Sequence, residues 1–207
     1  MDTIKLNFIN RSNDSNNSEI VIFQKNVSEN ADELAVAWKV IQNCGQGAHH
    51  PLNFPSQIEV AASDSWGNFT LQLPADEGQA FEMVKNNSGD VLQTAATSAS
   101  NKNEIEVRNQ LITGAISAYC FRDGSICAMK SGISPSQKAV FSFTPTIWIG
   151  VVSQVEEGQV LNSAIISSVN TEISLMGIAE ADIVMTGGGP GSSSTPFRFT
   201  LENVVYA

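Results

Sequence analysis

A chain of 207 residues with a net charge of −10 and an isoelectric point near 4.5 is long enough for one β-sandwich domain or for two small ones. No Lys or Arg occurs between Lys39 and Lys85 or between Lys138 and Arg198. This absence of a basic stripe argues against nucleic acid as a partner and disfavours anionic membrane surfaces. Only 15% of the residues are charged, against about 25% in a typical soluble domain. Uncharged polar residues take their place, and such a surface repels its own copies weakly, which favours self-association.

The N-terminal residues alternate like a strand, predicted over 3–9 with Ile4, Leu6 and Phe8 on one face. They lack the basic region and the continuous apolar segment of a secretory signal peptide. If this is the native start, we expect the protein in the cytoplasm, with non-classical release as the alternative. No transmembrane segment is expected, because the most apolar run is too polar and too interrupted to span a bilayer.

The first half of the chain predicts strands separated by polar turns. A buried strand is expected at 19–25. Residues 31–42 are interpreted as a strand, because Leu34, Val36 and Trp38 alternate, with a helix as the alternative. Residues 43–55 contain two Gly and two Pro and are interpreted as a loop. Strands then recur at roughly ten-residue spacing, as in sandwiches and barrels, near 57–63, 68–73, 79–85, 90–97 and 104–108.

In the second half, Asp123-Gly124 predicts a two-residue hairpin turn between strands at 114–122 and 125–131. Counting outward from this turn places Cys120 opposite Cys127. We expect two reduced, packed thiols there, with a strained disulfide as the alternative. Residues 138–156 predict two buried strands, near 139–144 and 146–153, with Pro145 at a corner. The remaining strands are expected near 159–167, 169–176, 181–186 and 197–206, with a helix over 164–178 as the alternative in that range.

These elements together predict an all-β fold with little helix, an antiparallel β-sandwich. Residues 1–207 are expected to form a single domain. The alternative is a pair of fused small sandwiches divided near residues 98–103, where the composition shifts.

Residues 64–69, Asp-Ser-Trp-Gly-Asn-Phe, place two aromatic side chains beside carboxylate and amide groups in a predicted turn. Exposed aromatic rings with Asp and Asn suit stacking on a sugar or a calcium-assisted contact. Asp64, Trp66, Asn68 and Phe69 are therefore the candidate ligand-binding residues. The preferred interpretation at this point is structural, a hairpin whose Trp66 folds onto the core.

Cys44, His49 and His50 lie close together in the predicted 43–55 loop. Cys and His are the usual ligands of zinc and copper. Adjacent histidines on a loop seldom point at one ion, so a surface histidine pair is the preferred interpretation. If the protein holds a metal ion, we expect it here, and no other cofactor is indicated.

No catalytic residue is identified. The Gly-rich segment 186–196 follows a predicted strand but lacks the Lys and the following helix that a phosphate-binding loop needs. A surface loop, or a backbone that passes close to a neighbour, is the preferred interpretation. A glycosidase could pair Asp64, Asp76, Glu77 or Asp182 at about 5–9.5 Å, but turn capping is the expected role of such residues.

The favoured function is that of a non-catalytic β-sandwich protein that acts by self-assembly, as a homo-oligomer, or by binding another protein. The low charge supports it, as do the edge strands that every open sheet must protect. The alternative is a lectin-like or membrane-acting, toxin-like protein that binds a glycan or a lipid through Trp66 and Phe69. A second alternative is a metal-dependent enzyme at Cys44, His49 and His50.

Overall fold

The structure is a computed structural model that describes residues 3–14, 18–28, 34–169 and 171–207. Nearly all of its regular structure is β, which confirms the predicted fold class, and the one α-helix in these ranges is α1 (Ser163–Ser168). No helix in the described ranges is long and apolar enough to cross a membrane. The strands are β1 (Thr3–Asn10), β2 (Glu19–Phe23), β3 (Leu34–Ala35), β4 (Lys39–Ile41), β5 (His49–Pro55), β6 (Ile58–Ser63), β7 (Leu73–Ala75), β8 (Ala80–Asn86), β9 (Gly89–Thr94), β10 (Ile105–Asn109), β11 (Ile116–Arg122), β12 (Ser125–Ile133), β13 (Lys138–Phe141), β14 (Thr146–Val152), β15 (Thr171–Ser174), β16 (Ile178–Gly188) and β17 (Thr195–Tyr206).

The chain divides into two compact units, each built from separated segments. The first unit comprises Met1–Gln24, Val36–Ser56 and Pro145–Ala207, and the second comprises Lys25–Ala35 and Gln57–Thr144. The chain passes from the second unit to the first at Pro145, so the apolar run 138–156 contributes β13 to one unit and β14 to the other. Residues 98–103 lie inside the second unit, and the single-domain expectation stays a prediction.

The first unit contains two four-stranded sheets, in the orders β17-β16-β1-β5 and β15-β14-β2-β4. Its core is aromatic and β-branched. The buried Trp38 ring meets the Phe54 ring edge-on, with centroids 5.6 Å apart, and Phe23 stacks on Trp148. The uninterrupted apolar sequence of β2 is explained by this position, because β2 lies between β14 and β4 and is buried over nearly its whole length.

The second unit contains a five-stranded sheet, β3-β12-β11-β6-β7, and a four-stranded sheet, β13-β10-β8-β9. Both sheets contribute fully buried side chains, among them Val60, Phe81, Met83 and Ile116. Antiparallel pairs dominate both units, as predicted. The described strands depart from this rule at β1–β16 and β8–β10, which are parallel.

Two predicted elements have the wrong type. Residues 49–55 form β5 rather than a loop, paired along its length with β1. Its two prolines are tolerated because β5 is an edge strand, where one side makes no ladder hydrogen bonds. The strand predicted at 159–167 is wrong as well. Ser163–Ser168 is helical, capped by Asn162, whose side-chain Oδ1 accepts a hydrogen bond from the Ile165 N–H at 2.9 Å.

Two other segments differ in their bounds. The strand expected at 68–73 is displaced to β7, and only Phe69 makes an isolated bridge, to Ser63. Residues 31–42 fall partly outside the described residues. The described part forms the short strands β3 and β4, with the buried Trp38 between them, so strand rather than helix is confirmed there.

The Asp123-Gly124 hairpin is confirmed, but its register changes after two pairs. Arg122 faces Ser125 and Phe121 faces Ile126, and then a bulge places Cys120 opposite Ala128 instead of Cys127. All three cysteines are free and buried, which confirms the reduced state. Burial raises the pKa of Cys127 to about 11.

The Gly-rich segment 186–196 closes the hairpin between β16 and β17. A Cβ placed on Gly187 would collide with the carbonyl oxygen of Pro196, and one on Gly188 would lie 2.8 Å from the Phe197 ring. The interpretation that this backbone passes close to a neighbour is therefore confirmed.

Candidate functional site

One carboxylate fixes the turn that carries Trp66. Asp64 Oδ1 accepts hydrogen bonds from the backbone N–H groups of Trp66, at 2.8 Å, and Asn68, at 2.9 Å. Asp64 Oδ2 accepts a third from the Asn68 side-chain amide, at 2.8 Å. These bonds, above all the two from Asn68, lower the pKa of Asp64. Gly67 adopts a φ of +85°, where a side chain would be strained. The hydrogen bonds of Asp64 and Asn68 thus stabilise the turn.

The turn directs Trp66 outward. The Trp66 side chain is 89% exposed, so the preferred interpretation that it folds onto the core was wrong. Phe69 is more than half exposed, but one side of its ring packs on Tyr119 of β11 with centroids 4.9 Å apart. Phe69 therefore anchors the end of the turn on the five-stranded sheet while Trp66 stays free.

A cleft of about 620 Å³ lies beside this turn, entirely within the second unit. Its walls are the turn at Asp64–Trp66, the β8–β9 hairpin and the loop of residues 110–115. Ile112 on that loop is 94% exposed. A volume of this size lies within the range of small-ligand pockets, about 300–1,000 Å³.

The cleft also contains an incompletely satisfied carboxylate. Asp90 Oδ1 is buried and has no hydrogen-bond partner among the described residues, and the Lys85 ammonium lies 3.9 Å away. An unsatisfied buried acceptor is unfavourable, so a donor from water or from a ligand would stabilise it.

We define the Trp66 surface as four exposed apolar side chains of the second unit, two on the wall of the cleft and two on the segment that follows the turn. They are Trp66, Phe69, Leu71 and Ile112. Trp66 and Ile112 line the same cleft. Phe69 and Leu71 lie two residues apart on the chain that leaves the turn. Exposed apolar groups that share a cleft, as Trp66 and Ile112 do, mark interaction sites more often than solitary ones do.

The structure does not bring Cys44, His49 and His50 together. His49 and His50 are consecutive residues of β5, so their side chains point to opposite faces of the sheet. Burial raises the pKa of the Cys44 thiol. In the described ranges no group of three or more His, Cys, Asp or Glu residues is placed to hold a metal ion. The metal-site hypothesis stays a prediction without geometric support.

The carboxylate Asp182 serves the fold in a similar way to Asp64. Its oxygens accept hydrogen bonds from the side chains of Asn203, at 2.7 Å, and Asn7, at 2.9 Å. These bonds, that of Asn203 first, lower the pKa of Asp182. Its oxygens are used to join β1, β16 and β17 across the face of their sheet.

Sequence reasoning missed Leu71, Asp90 and Ile112. The one signal for Ile112 is its apolar side chain in the gap between two predicted strands, 104–108 and 114–122. Asp90 gave no signal, because its environment is formed by segments distant in the chain.

Comparison with known protein families, with curated proteins and with solved structures finds no match for this chain. The function must be inferred from the chemistry of the Trp66 surface itself.

Proposed function

We propose that the protein is a non-catalytic binding protein that takes up another protein at the Trp66 surface. The observation that carries the proposal is the pair Trp66 and Ile112, which are 89% and 94% exposed and line one cleft. Exposed aromatic and large aliphatic side chains beside a pocket resemble the anchor residues that dominate protein interfaces.

The support beneath Trp66 favours tight recognition. Three hydrogen bonds to the Asp64 carboxylate fix the turn, and the Phe69–Tyr119 contact fixes its end. A site that is ordered before binding loses little conformational entropy when the partner arrives. A Trp side chain also has only two rotatable bonds, so a large contact area is gained for a small loss of freedom.

The residue types favour a protein partner. Leu71 and Ile112 offer aliphatic contact area, which suits the apolar side chains of a protein better than a hydroxyl-rich sugar. The polar groups that a sugar site would need are partly committed, because Asp64 and Asn68 bond to each other. The acidic chain, with its net charge of −10, would prefer a partner whose rim is basic.

A glycan or lipid ligand is the second candidate, and one observation favours it. The exposed Trp66 ring lies on the same cleft as Asp90, whose Oδ1 accepts no hydrogen bond from the residues that the structure describes. A sugar that stacks on the indole and donates a hydroxyl to Asp90 would use both features.

A binding experiment with the full chain distinguishes the two candidate functions. Immobilised wild type, Trp66→Asp, Ile112→Asp and Met176→Asp are incubated with extract from the source cells, and the retained proteins are quantified. Met176 is the matched control, an exposed apolar residue of the first unit. We expect a defined protein on wild type and Met176→Asp, retained about 30-fold more weakly by the other two, as for loss of an interface anchor.

The same variants are tested on a glycan array and on phosphatidylcholine vesicles. Binding there that Trp66→Asp abolishes, with no protein retained, would favour the second candidate. Identical retention by all four chains would refute a role of the Trp66 surface in binding a protein and in binding a glycan or lipid.

A further inference from the structure

One side of β17 has no strand partner among the described residues. The strand has 12 residues, ends the sheet order β17-β16-β1-β5, and pairs only with β16 in the described part of the chain. The opposite edge, β5, carries Pro51 and Pro55, which cannot donate ladder hydrogen bonds. The other edge strands have two to six residues. Edge strands are templates for pairing with another chain, and the one proline of β17, Pro196, lies at the start of the strand.

The straight part of this edge is short and well defined. Pairing with β16 is regular from Arg198 to Glu202, and register shifts interrupt it on both sides. The shift beyond Glu202 coincides with Asn203 at a φ of +50°. Because bulges bend and twist a strand, only 198–202, centred on Thr200, presents a regular edge.

The charges on this segment are placed for pairing. Phe199 faces the core and packs near Phe8, so Arg198, Thr200 and Glu202 point to the opposite face. Arg198 makes no ion pair with any residue that the structure describes. Glu202 Oε2 accepts a hydrogen bond from Arg11 Nη1 at 2.7 Å, and Glu202 Oε1 bonds to no described residue.

We propose that two copies of the chain pair their β17 strands antiparallel, about a two-fold axis at Thr200. The β17-β16-β1-β5 sheet of one copy then joins the same sheet of the second copy into one continuous sheet. Arg198 of each copy faces Glu202 of the other, and Thr200 faces Thr200. Each Glu202 carboxylate is then bridged by its own Arg11 and by Arg198 of the second copy.

Several other arrangements are disfavoured by the same two residues. A shift that centres the axis on Arg198 or on Glu202 places like charges directly opposite each other, which destabilises a strand pair. A parallel in-register arrangement places Arg198 beside Arg198. The two-fold pairing is isologous and uses up the edge of both copies, so it closes as a dimer and does not extend into a filament.

The pairing also offsets part of the repulsion between copies that the net charge of −10 produces. Arg198 is the only Lys or Arg after Lys138. It therefore brings the single positive charge of the C-terminal region to the contact. Repulsion between more distant charges is screened beyond about 8 Å at physiological ionic strength.

Sedimentation velocity of the full chain over a concentration series tests the proposal. Wild type should sediment as a dimer of about twice 22.1 kDa. Arg198→Glu and Glu202→Arg each convert both symmetric contacts to like charges, and each alone should weaken the dimer about tenfold or more. An equimolar mixture of these two variants should dimerise again, because every contact between the two different chains then joins opposite charges.

Lys102→Glu is the matched control, with the same charge change on an exposed loop of the second unit, and should dimerise as wild type does. Far-UV circular dichroism establishes that each variant is folded. A monomeric wild type at all concentrations, a dimer unaffected by either reversal, or a mixture that fails to recover the dimer would each overturn the proposal. Trp66→Asp should dimerise normally, so this result is independent of the proposed partner binding.

Discussion

Glu106 on β10 is a buried carboxylate that holds two cations and a loop. Its Oε1 accepts hydrogen bonds from Lys138 Nζ, at 2.6 Å, and from the Ser100 backbone N–H, at 2.8 Å. Its Oε2 accepts two from the Arg108 guanidinium, at 2.7 and 2.9 Å. The Glu106 side chain is fully buried, whereas the side chains of Arg108 and Lys138 are 20% and 39% exposed. We predict that Glu106→Gln destabilises the second unit strongly.

The magnitude follows from the pKa of Glu106. Burial is the largest single effect and raises the pKa, but the hydrogen bonds from Lys138, Ser100 and Arg108 together outweigh it and hold the pKa at about 2, against an ordinary 4.5. A difference of this size corresponds to roughly 3 kcal/mol in favour of the folded state. Because the folded pKa is the lower one, this stabilisation is fully present above about pH 4.5 and is lost as the pH falls towards 2.

Urea denaturation followed by far-UV circular dichroism measures the free energy of unfolding at two pH values. We expect Glu106→Gln to lose about 3 kcal/mol at pH 7, within the range for removing one partner of a buried ion pair. The difference from wild type should shrink to about 1 kcal/mol at pH 3. Glu104→Gln is the control. Among the described residues the Glu104 carboxylate accepts one hydrogen bond, a long one from Asn101 at 3.5 Å, so the change should stay within about 0.5 kcal/mol.

Two results would refute this reasoning. A loss below about 1 kcal/mol at pH 7 would mean that the hydrogen bonds barely offset the burial of the charge. A difference that is equal at pH 7 and pH 3 would mean that Glu106 titrates alike in the folded and unfolded chains.

Two further predictions concern the core. Gly150→Ala should lower the melting temperature, by a loss of about 1–3 kcal/mol in the free energy of unfolding, because a Cβ there would lie 3.0 Å from Val169. Gly45→Ala is the control, because a Cβ on Gly45 meets nothing within 4 Å. Equal melting temperatures of the two variants would contradict this packing. The three cysteines are buried, and burial raises the pKa of Cys127 to about 11. A thiol reagent at pH 8 should therefore label the chain only after denaturation. Rapid labelling of all three cysteines in the native protein would contradict this burial.

Local chemistry made much of the fold predictable. The apolar sequence of β2 and the Asp123-Gly124 turn specify their structures over a few residues, and both are confirmed. The parallel pairing of β1 with β16 was not predictable, because it joins segments more than 150 residues apart and neither strand carries a mark of its neighbour. β5 was missed because its prolines are acceptable only at a sheet edge, and edge position is a property of the assembled sheet.

The candidate site was likewise predictable only in the part that local sequence determines. The spacing of Asp64 and Gly67 indicates a turn, and the structure contains one. The direction of the Trp66 side chain could not be read from the sequence, since an aromatic residue in a turn can fold inward or outward. Ile112 and Asp90 joined the site only through the packing of the 110–115 loop and the β8–β9 hairpin around the cleft.

The central claim is that the Trp66 surface takes up another protein, and site-specific photo-crosslinking in the source cells tests it most directly. A benzophenone amino acid replaces Ser65, an exposed residue that lines the cleft, or Met176 as the control on the first unit. We predict a covalent adduct of one defined mass from position 65 that is absent from position 176 and is lost when Ile112→Asp is added. No protein adduct from position 65, or the same adducts from both positions, would contradict the claim.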